Sequence, residues 1–169
     1  MKLTVIGRYQ NPRCFKLAGS LPCTYKANKK AWMTSEMFLE FLTHLDRKMS
    51  SQNRNILLLL DQCAAHPKQV TLCNIKLVFL PANTTSHLQP LDAGIIRNAK
   101  HYFKRLLVRH LLAKIERKDD NLQITLLDAL HFIAMAWDRV TPTIIANCFD
   151  KCGVVESTAT ASQESEDDI

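Results

Sequence analysis

Two aspartates stand at the ends of predicted elements, where carboxylates can bind metal ions. Asp61 ends the aliphatic run 55–61, and Asp92 stands at the start of a predicted helix that follows the next strand. If the two strands are parallel neighbours, both carboxylates emerge at the same edge of the sheet. Paired carboxylates suit Mg²⁺, and two such ions can support phosphodiester chemistry. From the residues alone, a turn or N-cap role explains each aspartate equally well.

Apolar spacing predicts the elements that position these aspartates. Strands are expected at Leu3–Gly7, Asn55–Leu60 and Ile75–Leu80, and the second of them is typical of a strand buried on both faces. Residues 8–31 are expected to be irregular, because Pro12 and Pro22 interrupt regular structure. Helices are predicted over four ranges: about 35–48, 90–118, 123–138 and 142–151.

The charge is distributed unevenly along the chain. The formal net charge is +6, yet residues 1–155 carry all 22 Lys and Arg against 11 of the 16 acids, and residues 156–169 carry the other five. A basic body favours a polyanionic partner, most often nucleic acid. The acidic segment 156–169 is predicted to be a disordered tail.

One face of the predicted helix 90–118 is strongly basic. A face of this kind can follow the DNA backbone without sequence preference. A solvated face with no partner explains the same pattern, and the two interpretations are about equally supported. The candidate nucleic-acid contacts are Arg97, Lys100, Lys104, Arg105 and Arg109.

Composition argues against several classes of protein. The six cysteines form no C-x-x-C pair and have no histidine at zinc-finger spacing, so neither a disulfide framework nor a zinc site is predicted. The apolar run Ile56–Leu60 is far shorter than the roughly 20 residues of a membrane span. The N-terminus also lacks the features of a signal peptide. We therefore expect a soluble, intracellular protein with no membrane association.

Three motifs in the middle of the chain are far more specific than a pair of aspartates. They are L-L-L-D ending at Asp61, F-L-P-x-N-T-T-S over residues 79–86, and L-Q-P-L-D-x-G over residues 88–94. Together they resemble the DDE superfamily endonuclease domain of Tigger/pogo-type transposases and of the host proteins derived from them. The likeness extends outward from Val5 to Val154 and so covers nearly everything except the tail.

The resemblance implies a fold and a set of site residues. The expected class is α/β, with a partial RNase H-like fold over residues 1–155 and a short mixed sheet that lacks its first two strands and is flanked by helices. Asp61 and Asp92 match the second and third catalytic acids of the family, which bind Mg²⁺ or Mn²⁺ during DNA strand cleavage and transfer. His66 matches a family histidine that would support the metal site from outside it, although a purely structural role is also open.

The resemblance also implies what the chain is missing. In the family, the first catalytic aspartate and a helix-turn-helix module precede Leu3–Gly7, so the sequence is expected to be N-terminally truncated. Such a chain would be a catalytically inactive, nuclear remnant with weak or absent metal binding and nonspecific, backbone-directed affinity for DNA. The alternatives are a protein-interaction or scaffolding domain, including a homo-oligomer, and an active nuclease in which Asp46 or a second subunit supplies the missing acid.

Overall fold

The computed structural model describes residues 2–16, 18–82 and 88–154. The acidic segment 156–169 and the N-T-T-S residues 83–86 lie outside these ranges. Within them, four strands and four α-helices follow one another, and no helix has the length and apolar character that a membrane crossing requires. The elements are β1 (Thr4–Gly7), β2 (Thr24–Ala27), α1 (Ser35–Ser51), β3 (Ile56–Leu60), β4 (Ile75–Phe79), α2 (Ile96–Glu116), α3 (Leu126–Trp137) and α4 (Pro142–Lys151).

The described strands form two parallel pairs. β1 pairs with β2, with Thr4 opposite Thr24, and β3 pairs with β4, with Ile56 opposite Ile75. The predicted α/β class and the predicted parallel pairing of β3 with β4 are both confirmed. The strands lie in two separate two-stranded sheets rather than in the single short mixed sheet predicted from the sequence.

Strand β2 falls in residues 8–31, which were predicted to be irregular, and that prediction was wrong. Its two ends are fixed by backbone hydrogen bonds to the β1 segment. The Thr24 N–H donates to the Leu3 carbonyl over 2.8 Å, and the Asn28 N–H donates to the Gly7 carbonyl over 3.0 Å. The segment has little apolar alternation, so pairing with β1 rather than local propensity selects the extended conformation.

Helix α1 begins where the sequence predicts, because the Thr34 side chain accepts a hydrogen bond from the Met37 N–H over 3.3 Å. Its inner face buries Phe38 and Leu42 against Leu60 of β3. Leu42 is fully buried, so a truncation there would leave a cavity and cost about 2 to 5 kcal/mol. This packing fixes the strand end that carries Asp61.

The helix predicted over 90–118 is interrupted near its start. A π turn occupies Leu91–Ile95, where Gly94 has a non-helical backbone (φ 170°, ψ −23°), and the regular helix α2 follows. A Cβ atom at Gly94 would lie 3.0 Å from the Cys148 sulfur of α4, so glycine permits the close approach of that helix. Ile95, Ala99 and Cys148 then share a second core with Val140.

Helix α3 packs along α2 and begins with a reciprocal capping box. The Asp128 N–H donates to Thr125 Oγ1 over 3.1 Å, and the Thr125 N–H donates to the Asp128 carboxylate over 2.9 Å. Burial raises the pKa of Asp128, but the hydrogen bonds from Thr125 and the nearby His110 and Lys114 lower it by more. The net pKa of this carboxyl is below its usual value.

Candidate metal and nucleic-acid sites

Asp61 leaves the carboxyl end of β3 and directly contacts His66. Its Oδ1 lies 2.9 Å from the Nδ1 of His66 and also accepts the Cys63 N–H over 3.1 Å. The His66 ring lies against Phe38, with ring centroids 4.4 Å apart. The Asp61 side chain is 48% exposed and that of His66 only 18%. His66 is therefore fixed by packing and orients the more exposed carboxylate.

Asp61 and His66 lie at the wall of a cavity of about 480 Å³. Its lining includes Phe38 and Phe41 of α1 and the four leucines 57–60 of β3. Gln89, Pro90 and Leu91, the three residues immediately before Asp92, also line it. The segment that leads to the second aspartate therefore passes beside the strand end that carries the first.

Asp92 itself lines a different cavity, of about 470 Å³, on the first turns of α2. We call this cavity the α2 groove, and its lining residues are Asp92, Ile96, Arg97, Lys100, His101 and Lys104. Asp61 and Asp92 thus open onto separate cavities, and the carboxylate pair expected at the sheet edge stays a prediction. Three cations accompany Asp92, which makes the α2 groove electropositive.

The five cations predicted to contact nucleic acid are all exposed. Arg97, Lys100 and Lys104 line the α2 groove, whereas Arg105 and Arg109 do not. At about 100° of rotation per residue, Arg105 and Arg109 lie about 80° and 120° around the helix from Arg97. A single phosphate strand that follows the groove can therefore reach the first three cations together, and the other two lie on an adjoining face.

Asp46 does not lie beside Asp61. Its carboxylate accepts the N–H of Cys73 over 3.1 Å and the N–H of Asn74 over 2.7 Å, at the amino end of β4. Asp61 lies at the opposite, carboxyl end of the parallel pair. A strand of this length separates the two ends by about 16 Å. The idea that Asp46 supplies a missing acid next to Asp61 is therefore wrong, because both of its oxygens hold backbone at the other edge.

Residues 1–149 match the family model for the DDE superfamily endonuclease. The chain belongs to the DDE superfamily endonuclease family. This membership confirms the predicted RNase H-like fold, and no solved structure matches the chain.

The relatives of this DDE domain confirm the predicted Tigger/pogo-type membership. The chain is 33% identical over 153 residues to Tigger transposable element-derived protein 4 of Mus musculus, covering 90% of the chain and 30% of the relative. It is 34% identical over 167 residues to major centromere autoantigen B of Mus musculus, covering 96% of the chain and 27% of the relative. The chain therefore spans less than a third of the length of either protein.

DDE domains use divalent metal ions, so the fit of this one to Mg²⁺ or Mn²⁺ can be tested on its side chains. Within residues 2–16, 18–82 and 88–154, no three His, Cys, Asp or Glu side chains form a group that could hold a metal ion. Asp61 is engaged by His66 and by a backbone N–H. Asp92 shares its groove with three cations, which repel a divalent ion. The described residues do not fit the two-metal centre of the family.

A second cation-rich cavity was not predicted from the sequence. It lies between the β1–β2 sheet and α1, and its residues come from three separate segments of the chain. The one local signal was the spacing of His44, Arg47 and Lys48, which places all three on the same side of a helix. The cations contributed by the strands could be found only after β2 was placed beside β1.

Proposed function

We propose that this DDE domain binds DNA in the nucleus through phosphate contacts and does not cleave it. The observation that carries the proposal is the α2 groove, in which Arg97, Lys100 and Lys104 converge on one exposed helix face. Membership in an endonuclease family supports a nucleic-acid partner. Relatives named for a transposable element and for the centromere support a nuclear location.

Contacts of this kind give affinity without sequence preference. Each phosphate that a cation neutralises releases counterions. A plot of log affinity against log salt concentration therefore has a negative slope, which we call the salt slope, of about 0.9 per neutralised phosphate on duplex DNA. Three cations in the α2 groove therefore account for about 2.7 of the slope. Asp92 lies in the same groove and opposes the phosphates, so D92N should bind DNA more tightly than the wild type.

The surroundings of the two aspartates support binding without cleavage. The resemblance implies that Asp61 and Asp92 are metal ligands, yet they line separate cavities and Asp92 lies among cations. A metal-dependent reaction needs oxygen ligands that converge on the ion. The proposed activity depends only on exposed cations and is independent of that convergence.

The test is a salt titration of binding to short fluorescein-labelled DNA duplexes of two unrelated sequences, followed by fluorescence anisotropy. The α2 variant, R97Q/K100Q/K104Q, should bind more weakly to both duplexes, with a slope shallower by about 2.7. An affinity that differs strongly between the two sequences would contradict backbone-directed binding. In a supercoiled-plasmid assay with Mg²⁺ or Mn²⁺, nicking that disappears in D61N and D92N would overturn the claim that the domain does not cleave.

The matched control is R54Q/K29Q/K68Q, which removes the same number and types of cation from exposed positions outside the α2 groove. It lowers the net charge equally, so any difference from the α2 variant reports position rather than total charge. Equal losses in the two variants would remove the α2 groove from the proposal.

A second candidate function is a protein-interaction domain, here one that associates with a second copy of itself. It is favoured by an apolar stripe on α2 formed by Val108, Leu112 and Ile115, which are 52%, 52% and 55% exposed. Their spacing places them on one helix face, and two such faces could pair around a twofold axis. Concentration-dependent dimerisation in sedimentation velocity, lost in L112E, would support this role, and a monomer at every concentration would remove it.

A further inference from the structure

A cavity of about 720 Å³ lies between the β1–β2 sheet and α1. We call it the α1 groove. Its walls carry four permanent cations, Lys2, Lys26, Arg47 and Lys48, against a single carboxylate, Glu40. The cations come from both sides of the groove, because two lie on or beside the strands and two on the helix.

The charge on the helix wall is not compensated by neighbouring side chains. Glu40 forms a salt bridge with Lys26 on the strand wall, and the Lys2 ammonium donates to the Leu21 carbonyl over 3.1 Å. Among the residues that the structure describes, no salt bridge includes Arg47 or Lys48. Two cations without a salt-bridge partner among the described residues therefore line the α1 side of a concave surface, whose low-dielectric walls strengthen their field.

The polar groups beside these cations suit a phosphodiester. Thr4 and Thr24 line the strand wall and carry hydroxyls that can donate to phosphate oxygens. Arg47 can bind a phosphate through two parallel N–H groups, and Lys48 contributes a point charge one residue further along the helix. The helix wall thus offers two cations, and the strand wall adds neutral donors to Lys2 and Lys26.

We propose that the α1 groove is a second phosphate-contact site for the backbone of nucleic acid. The inference rests on the proposed function and extends it, because the α1 and α2 grooves share no residue and lie on different elements. DNA that occupies both grooves contacts the domain at two separate places. The two grooves then contribute separately to the salt dependence of binding.

The experiment uses the full chain and the same labelled DNA duplexes. The variant R47Q/K48Q should bind more weakly than the wild type, with a salt slope shallower by about 1.8. The variant E40Q removes the one carboxylate among the described residues of the groove and releases Lys26. It should therefore bind more tightly, with a salt slope steeper by up to about 0.9. Unchanged binding in both variants would overturn the inference.

The matched control is R54Q/K68Q, which removes one arginine and one lysine from exposed positions outside both grooves. If R47Q/K48Q behaves like this control while the α2 variant loses binding, the proposed function stands and the second site is wrong. If neither variant differs from its control, both proposals fail. Thermal unfolding of each variant checks the fold. Should R47Q/K48Q unfold, E40Q decides, because it retains every cation, and binding no tighter than the wild type would refute the second site.

Discussion

Replacing Asp46 with alanine should destabilise the fold, because its carboxylate has a structural role. The Asp46 carboxylate joins the C-terminal half of α1 to the start of β4, where it accepts the N–H groups of Cys73 and Asn74. In D46A both backbone donors lose a charged acceptor. The connection between helix and strand then depends on apolar packing alone.

The size of this effect follows from the two bonds. A hydrogen bond to a charged group contributes about 1.5 to 3 kcal/mol. Cys73 is exposed and Asn74 partly exposed, so water replaces part of each bond, and the total loss should be about 2 to 3 kcal/mol. For a domain of this size, each kcal/mol lowers the Tm by about 2 to 4 °C, so the expected decrease is about 4 to 12 °C. D46N keeps an acceptor oxygen for one N–H and should lose about half as much.

The assay is thermal unfolding followed by circular dichroism for the wild type, D46A and D46N. Glu116→Ala is the control, because it removes an exposed acid from the end of α2 that accepts no such backbone bonds. A D46A protein that melts with the wild type would refute the structural role. So would a D46A protein that keeps its stability but loses a divalent-dependent nicking activity, since Asp46 would then act in catalysis.

Three further predictions concern the cap of α3, the β1–β2 sheet and the tail. Asp128 in the folded protein has a pKa below its unfolded value near 3.8. Its contribution to stability is therefore present above that pH and lost as the pH falls through the folded pKa. The difference in Tm between the wild type and D128N should shrink below about pH 4. A Cβ atom at Gly7 would overlap the Tyr25 hydroxyl, so G7A should lower the free energy of unfolding, measured in urea, by about 1 to 3 kcal/mol. G19A is the control, because a Cβ atom there meets open space, and it should leave the free energy of unfolding unchanged. Deleting residues 156–169 removes five acids and should tighten DNA binding in anisotropy at low salt, and unchanged binding would exclude screening by this segment.

Local sequence patterns predicted the elements that carry strong periodicity or caps. The strand β3 and the start of α1 at residue 35 were both predicted, because each is determined by neighbouring residues. Strand β2 was missed because its extended conformation depends on β1, about 20 residues away along the chain. The break at Gly94 was missed for the same reason, since it accommodates Cys148 on a helix that comes much later.

The candidate sites also differ in whether they depend on local contacts or on the tertiary fold. The contact between Asp61 and His66 spans only five residues and was within reach of a prediction. The positions of Asp92 and Asp46 were not, because they depend on how the π turn before α2 and the helix α1 pack in the fold. The α1 groove was the least predictable site, because its cations come from both the strands and the helix.

The two parallel strand pairs also determine how the chain can reach its native state. Thr4 pairs with Thr24 and Ile56 with Ile75, so each pairing closes a loop of only about 20 residues. The entropic cost of closing a loop rises slowly with loop length, by about 0.6 kcal/mol for each doubling. Contacts between residues that are close in sequence also favour rapid folding. Each strand pair can therefore form soon after its own segment is synthesised, before the later helices dock. For the same reason, insertions within residues 61–74 should slow folding only slightly.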